Sequence, residues 1–239
     1  MTATTKITRA ATLAPSFSFY VPSTDIDLIA DCAEKADAVV VPGTQGPRAV
    51  VGMRRDGFSG VVLFDRGGYE RGAASVDPAE WCEAQVQAGA DRILTSGHWA
   101  AWDDGGDALQ MAIDAARQEL KSSPDASILF AVDSKWITNS KGLYRTITVL
   151  KEVSEPLAIV LSHSDDPLSA QEAVNNLLAV TRNVPRLSIL RSDHGAIGAV
   201  AIGAIHGSIG LIPKYRHFVP PTAAGGGIPD RTREYSSGI

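Results

Sequence analysis

Six apolar runs in this chain stop abruptly at residues suited to chemistry. One ends in Asp65-Arg66-Gly67-Gly68-Tyr69, another in Ser96-Gly97-His98-Trp99, and a third in Asp133-Ser134-Lys135-Trp136. The others end in Ser162-His163-Ser164-Asp165-Asp166, Arg191-Ser192-Asp193-His194 and Lys214-Tyr215-Arg216-His217. Asp65, Asp133 and Asp193 are carboxylates that can act as nucleophiles or as general acids and bases. Two carboxylates sharing one pocket can be driven apart in pKa and divide those roles. Lys135, next to Asp133 and Trp136, carries an amine able to form a Schiff base with a carbonyl compound. His98, His163 and His194, with Asp193, could ligate a divalent metal, but no HxH or HxxxH spacing supports a centre, so no metal is expected. No glycine-rich phosphate loop follows a strand, and Gly225, Gly226 and Gly227 follow no apolar run.

Such residues act together only if the fold gathers the ends of the runs. Apolar segments alternate with amphipathic ones along the whole chain, giving eight strands with a helix after each of the first seven. The strands are short continuous apolar runs, the pattern of parallel strands buried on both faces. The fourth is placed at 91–97 and the eighth at 208–213, with a helix over 196–207 between the seventh and eighth. Ser23, Thr24, Asp77 and Ser169 stand where helix caps belong. Eight such units fit a single α/β domain, a (β/α)8 TIM barrel over residues 1–221, with a doubly wound open sheet as the competing arrangement. In the barrel, the polar residues above lie at the C-terminal ends of the strands, where barrel active sites form. Residues 222–239 lack periodicity and are predicted to be an irregular tail or a partner-binding arm.

Composition narrows the class. Hydrophobic residues make up 44% and charged residues 21%, enough for a sizeable core. No 18-residue apolar run is present and the first residues lack a secretory apolar stretch, so a cytoplasmic protein with no membrane role is expected. Cys32 and Cys82 are solitary and fit buried free thiols in a reducing compartment. A net charge of −5 argues against broad non-specific nucleic-acid binding. A local patch of Arg191, Lys214, Arg216, Arg231 and Arg233 could still hold a few phosphates.

The stretch "ADAVVVPGT", the turn "RDGFSG" and then Asp65-Arg66-Gly67-Gly68-Tyr69-Glu70 resemble the N-terminal half of tRNA-guanine transglycosylases in order and spacing. "RLSILRSDHGAIGAVAIGAIHGSIGLIPKYRHFVPP" looks like the end of shorter relatives that insert 7-deazaguanines into DNA. The resemblance implies a barrel that exchanges a purine, guanine or 7-deazaguanine, at C1′ in DNA, tRNA or a nucleoside, with no cofactor. It implies that Asp65 contacts the base and moves a proton, that Gly67 and Gly68 let the backbone approach a flat ring, and that Tyr69 walls the pocket. The family's nucleophile position falls near Gly210, which has no carboxylate, so Asp193 is the substitute. His98, Asp133, Lys135, His163, Arg191 and Arg216 would line the substrate site. The family's zinc-binding insertion is absent. Two further readings stand beside this one: a non-catalytic nucleic-acid-binding subunit acting with a protein partner or as a homo-oligomer, and a lyase or aldolase working through Lys135.

Overall fold

The computed structural model describes residues 16–70, 72–73, 75–103, 107–163 and 166–219. The chain folds as β1 (Ser16–Tyr20), α1 (Ile26–Lys35), β2 (Ala38–Pro42), α2 (Gly46–Arg55), β3 (Val62–Asp65), α3 (Pro78–Gln87), β4 (His98–Ala100) and α4 (Asp107–Leu120). It continues with β5 (Ile128–Asp133), α5 (Lys135–Thr138), α6 (Ser140–Leu150), β6 (Leu157–Ser162), α7 (Gln171–Asn183), β7 (Leu187–Ser192), α8 (Gly195–Ala201) and β8 (His206–Gly210), then a 3-10 turn at Pro213–Tyr215. Strand order is β3-β2-β1-β8-β7-β6-β5-β4, and neighbouring strands in this order run parallel. The pairing of β1 with both β2 and β8 joins the two ends of the chain, which a doubly wound sheet does not do. The protein is a (β/α)8 TIM barrel.

Side chains alternate across each strand. Leu157, Ile159 and Leu161 of β6 pack outward under the helices, whereas Ala158 and Val160 join Leu129, Ala131 and Leu190 inside the barrel. Val62 and Phe64 of β3 likewise belong to an outer cluster, and Leu63 meets Tyr20, Ala38 and Val40 within. This parity carries Asp65, Asp133 and Ser162 onto the inward side at the strand ends.

The ladder is open between β3 and β4 and is closed by isolated bonds. Asp91 N–H donates to the Val62 carbonyl at 3.0 Å and Gly68 N–H to the Ser96 carbonyl at 3.1 Å. Between them the Gln85 amide, from α3, accepts from Leu94 N–H at 3.0 Å and donates to its carbonyl at 2.8 Å. One side chain thus supplies the pairing that a neighbouring strand would have given. Gly68 is required at this seam: a Cβ there would lie 2.5 Å from the Ser96 carbonyl oxygen.

Several expected boundaries move. The strand placed at 91–97 makes only a single bridge at Leu94, and regular pairing starts at His98, because the open seam leaves the earlier residues a ladder on one side at most. A short helix, α5, begins immediately after β5. Helix α8 stops at Ala201 and His206 lies in β8, since residues 205–206 pair beside Ser16. The cap of α1 is Asp25 rather than Ser23 or Thr24, Asp77 caps α3 as expected, and α7 opens at Ala170 rather than Ser169. Cys32 and Cys82 are buried free thiols. Among the described residues no helix is long and apolar enough to cross a membrane. The tail expected at 222–239, with Arg231 and Arg233, lies outside the described residues, as do Ser164 and Asp165.

Candidate active site at the barrel mouth

The residues singled out from the sequence separate into four groups. The first surrounds Asp65, which is fully buried. Its Oδ2 accepts from the Tyr20 hydroxyl at 2.5 Å and from the Tyr69 hydroxyl, and its Oδ1 accepts from Gly67 N–H at 2.7 Å. Burial pushes the Asp65 carboxyl above the usual carboxylate range, against the pull of these donors. Burial and then the neighbouring Asp65 raise the Tyr20 and Tyr69 hydroxyls well above the ordinary tyrosine value. The acid expected to face a substrate is therefore enclosed by the protein's own donors.

Arg191 belongs to this group through a break in strand parity. The sixth and seventh strands pair as far as Val160 and Leu190, after which Arg191 adopts φ +50° and the register with β8 shifts. The flip turns the guanidinium inward, where it pairs with Glu70 and donates to the Lys214 carbonyl at 3.0 Å. Only 4% of Arg191 is exposed, so it is not the surface phosphate contact that its sequence position suggested. Burial opposes its charge, but Tyr69, Tyr20 and Glu70 outweigh burial and raise its pKa.

A strap of the chain's own residues closes this region. After β8 the chain turns back over Gly210, where any Cβ would collide with the Tyr215 backbone. Phe218 then takes the place beside β6 that β7 has vacated: its carbonyl accepts from His163 N–H at 2.9 Å and it bridges Ser162. The Phe218 ring packs edge-on against Tyr69 and Trp99, with centroids 4.9 and 5.2 Å away. Tyr69 thus walls a pocket that Phe218 already fills.

The second group is open. Asp133, Ser134, Lys135, Ser162, His163 and Asp166 line a cavity of about 420 Å³ at the ends of β5 and β6. Lys135 is exposed, and it is the first residue of α5 rather than part of a barrel strand. Asp133 Oδ1 accepts from the Lys135 backbone N–H at 2.9 Å, fixing carboxylate and lysine in one turn.

The third group lies on the outer wall. His98 Nε2 meets Glu119 Oε1 at 2.8 Å, while Glu119 also accepts from Ser96 N–H at 2.7 Å and from the Ser96 hydroxyl. Burial opposes the Glu119 charge, yet the bonds from His98 and Ser96 hold its carboxyl below the usual range. In the fourth group, Asp193 bonds His194 Nδ1 at 2.8 Å, and Arg216 Nη1 stands 3.9 Å away at the exposed rim. Among the described residues, no three His, Cys, Asp or Glu side chains gather as a metal site.

Tyr20, Glu70, Glu119 and Phe218 were not foreseen. Glu119 was legible in principle, since it adjoins the buried stripe Leu109, Ala112, Ile113, Ala116 and Leu120 of α4. Phe218 offered no signal, because its place depends on the parity break at Arg191.

No family model and no curated protein sequence matches the chain. Solved structures do. A putative deoxyribose-phosphate aldolase from Coccidioides immitis superposes with a TM-score of 0.53 at 14% identity, covering 82% of this chain and 81% of that one. An aldolase named QR15 gives 0.51 at 14% identity over 80% and 88%. A mutant tryptophan synthase α-subunit from Pyrococcus furiosus gives 0.47 at 13% identity over 82% and 86%. At 14% identity, the likeness to the first two establishes the barrel fold.

Proposed function

We propose that this barrel is a lyase of the aldolase type, acting through a Schiff base on Lys135. The observation that carries the reading is the shared cavity: Lys135, Asp133, His163 and Ser162 line one space at the C-terminal rim. Its volume, about 420 Å³, suits a small hydroxylated aldehyde or ketone. The two aldolases of similar fold make the reading compatible with the scaffold; a fold alone does not assign chemistry.

In this mechanism the Lys135 amine adds to the substrate carbonyl and water leaves, giving an iminium ion. Asp133 or His163 removes the proton of the β-hydroxyl. The Cα–Cβ bond breaks, its electron pair enters the iminium as an enamine, and an aldehyde departs. The returned proton quenches the enamine at Cα, and water hydrolyses the new iminium to release a carbonyl product and free Lys135.

The base-exchange alternative requires Asp65 to reach a purine. Asp65 is buried with both carboxyl oxygens engaged, and Asp193 is paired with His194 at the rim, so the open cavity at Lys135 is the better-supported place for chemistry. The test is deuterium incorporation. In D2O an enamine-forming enzyme exchanges the Cα protons of a small ketone, and Lys135→Met abolishes that exchange. Equal exchange in both proteins defeats the proposal.

A further inference from the structure

The strap leaves polar groups stranded. Ser162 Oγ, Trp99 Nε1 and Arg191 Nε are buried with no hydrogen-bond partner among the described residues. All three residues surround Phe218: Ser162 is bridged to it, Trp99 packs on its ring, and the Arg191 guanidinium carbon lies 5.8 Å from its centroid. The Phe218 ring offers Arg191 a π face, but it has no lone pair to match the hydrogen bond that an oxygen would give these donors. Stranded buried donors are costly, and native proteins keep few of them.

We infer that the barrel mouth beneath Lys214–Phe218 is a second ligand site, held shut by its own strap, which takes a small oxygen-rich anion. The anion's oxygens would accept from Trp99 Nε1, Ser162 Oγ and Arg191 Nε once the Phe218 ring has moved away, and Glu70 would yield Arg191 Nη1 to a second oxygen of the same anion. Glu70 can leave, since 40% of its side chain is exposed, whereas Arg191 is 4% exposed and stays. Among the described residues, two other carboxyls face inward near these donors: Asp65 is turned toward Tyr20, Tyr69 and Gly67, and Asp133, beside Ser162, has its Oδ1 engaged by the Lys135 N–H. Tyr69, Tyr215 and Trp99 supply flat walls: Arg191 lies 6.0 and 5.7 Å from the first two ring centroids. Carboxylates and phosphates share the required chemistry, and bidentate pairing with a guanidinium suits both.

This site is distinct from the Lys135 cavity, although Ser162 and His163 border both regions. The reporter is the His163 amide, which donates to the Phe218 carbonyl when the strap is shut. Hydrogen exchange is measured by NMR with inorganic phosphate and, separately, with acetate. A saturable rise of at least tenfold in exchange at His163 and Phe218, with the α4 and α7 amides unchanged, is expected with one or both anions. A response to phosphate alone assigns a phosphate ligand, and one to acetate alone a carboxylate. Glu70→Gln weakens the latch and raises exchange without added anion. Lys135→Met preserves the anion response while losing ketone exchange, which separates this inference from the lyase reading. Two results overturn it: no response to either anion in wild type, or anion binding that leaves His163 as protected as before.

Discussion

Asp133 and Lys135 are tied within a single turn, because the Asp133 carboxylate accepts the Lys135 backbone N–H at 2.9 Å just where β5 becomes α5. The bond does more than start a helix. It fixes the Asp133 carboxylate against the first residue of α5, in the cavity that Lys135 also lines, which suits the proton transfers that the proposed reaction requires.

Replacing Asp133 by Asn keeps an acceptor for that N–H and removes the base. Ketone Cα exchange is expected to fall by roughly 10²-fold, the usual scale for a general base. His163→Ala measured alongside apportions the role: the larger loss identifies the main base. A structural role alone would lower the melting temperature and leave the exchange rate per folded molecule intact.

Asp65 should govern stability with a particular pH dependence. Its folded-state carboxyl pKa is raised above the ordinary value, chiefly by burial. The folded state therefore binds the proton more tightly than the unfolded chain, and this contribution is lost as pH rises from the ordinary carboxylate value through the folded one. Asp65→Asn, which stays neutral, is expected to flatten that decline in urea titrations. Asp65→Ala strands the Tyr20 and Tyr69 hydroxyls and is expected to cost about 3 kcal/mol.

His206 gives the opposite slope. It is buried in β8, with Nδ1 2.6 Å from Ser16 Oγ and Nε2 2.8 Å from Ser18 Oγ. Burial, then nearby Arg92, pushes its pKa down to about 4, against a smaller opposite pull from Asp37. A depressed histidine pKa means that the unfolded chain takes up the proton first, so stability falls as pH drops from the ordinary histidine value toward 4. The loss attributable to this residue is about 3 kcal/mol across that window. His206→Asn should remove this part of the acid sensitivity, whatever its effect at neutral pH. Parallel slopes for the two proteins would contradict the assignment.

The barrel was readable because β2, β3, β5 and β6 are nearly unbroken apolar runs and most helices carry clear stripes, signals set by burial alone. Strand β4 misled because pairing there depends on a seam between distant segments, bridged by Gln85. Asp65 stood out in the sequence as a carboxylate on a strand end, and it does point inward. Two of its neighbours could not be read: Tyr20 is 45 residues away, and Arg191, whose charge acts on it, turns inward only through a backbone flip. The gathering of Asp133, Lys135 and His163 follows from β5 and β6 being neighbours, which the order of units already implied. Gly68, expected to let the backbone approach a flat ring, instead lets it approach the Ser96 and Gly97 carbonyls.

The most direct test of the central claim is covalent capture at Lys135. The protein is incubated with small hydroxylated aldehydes and ketones, reduced with borohydride, weighed intact and digested for peptide mapping. The account expects one stable adduct per chain, on the peptide carrying Lys135, absent from Lys135→Met and competed by excess unlabelled ketone. Labelling spread evenly over the exposed lysines, or a single adduct that persists in Lys135→Met, would contradict it.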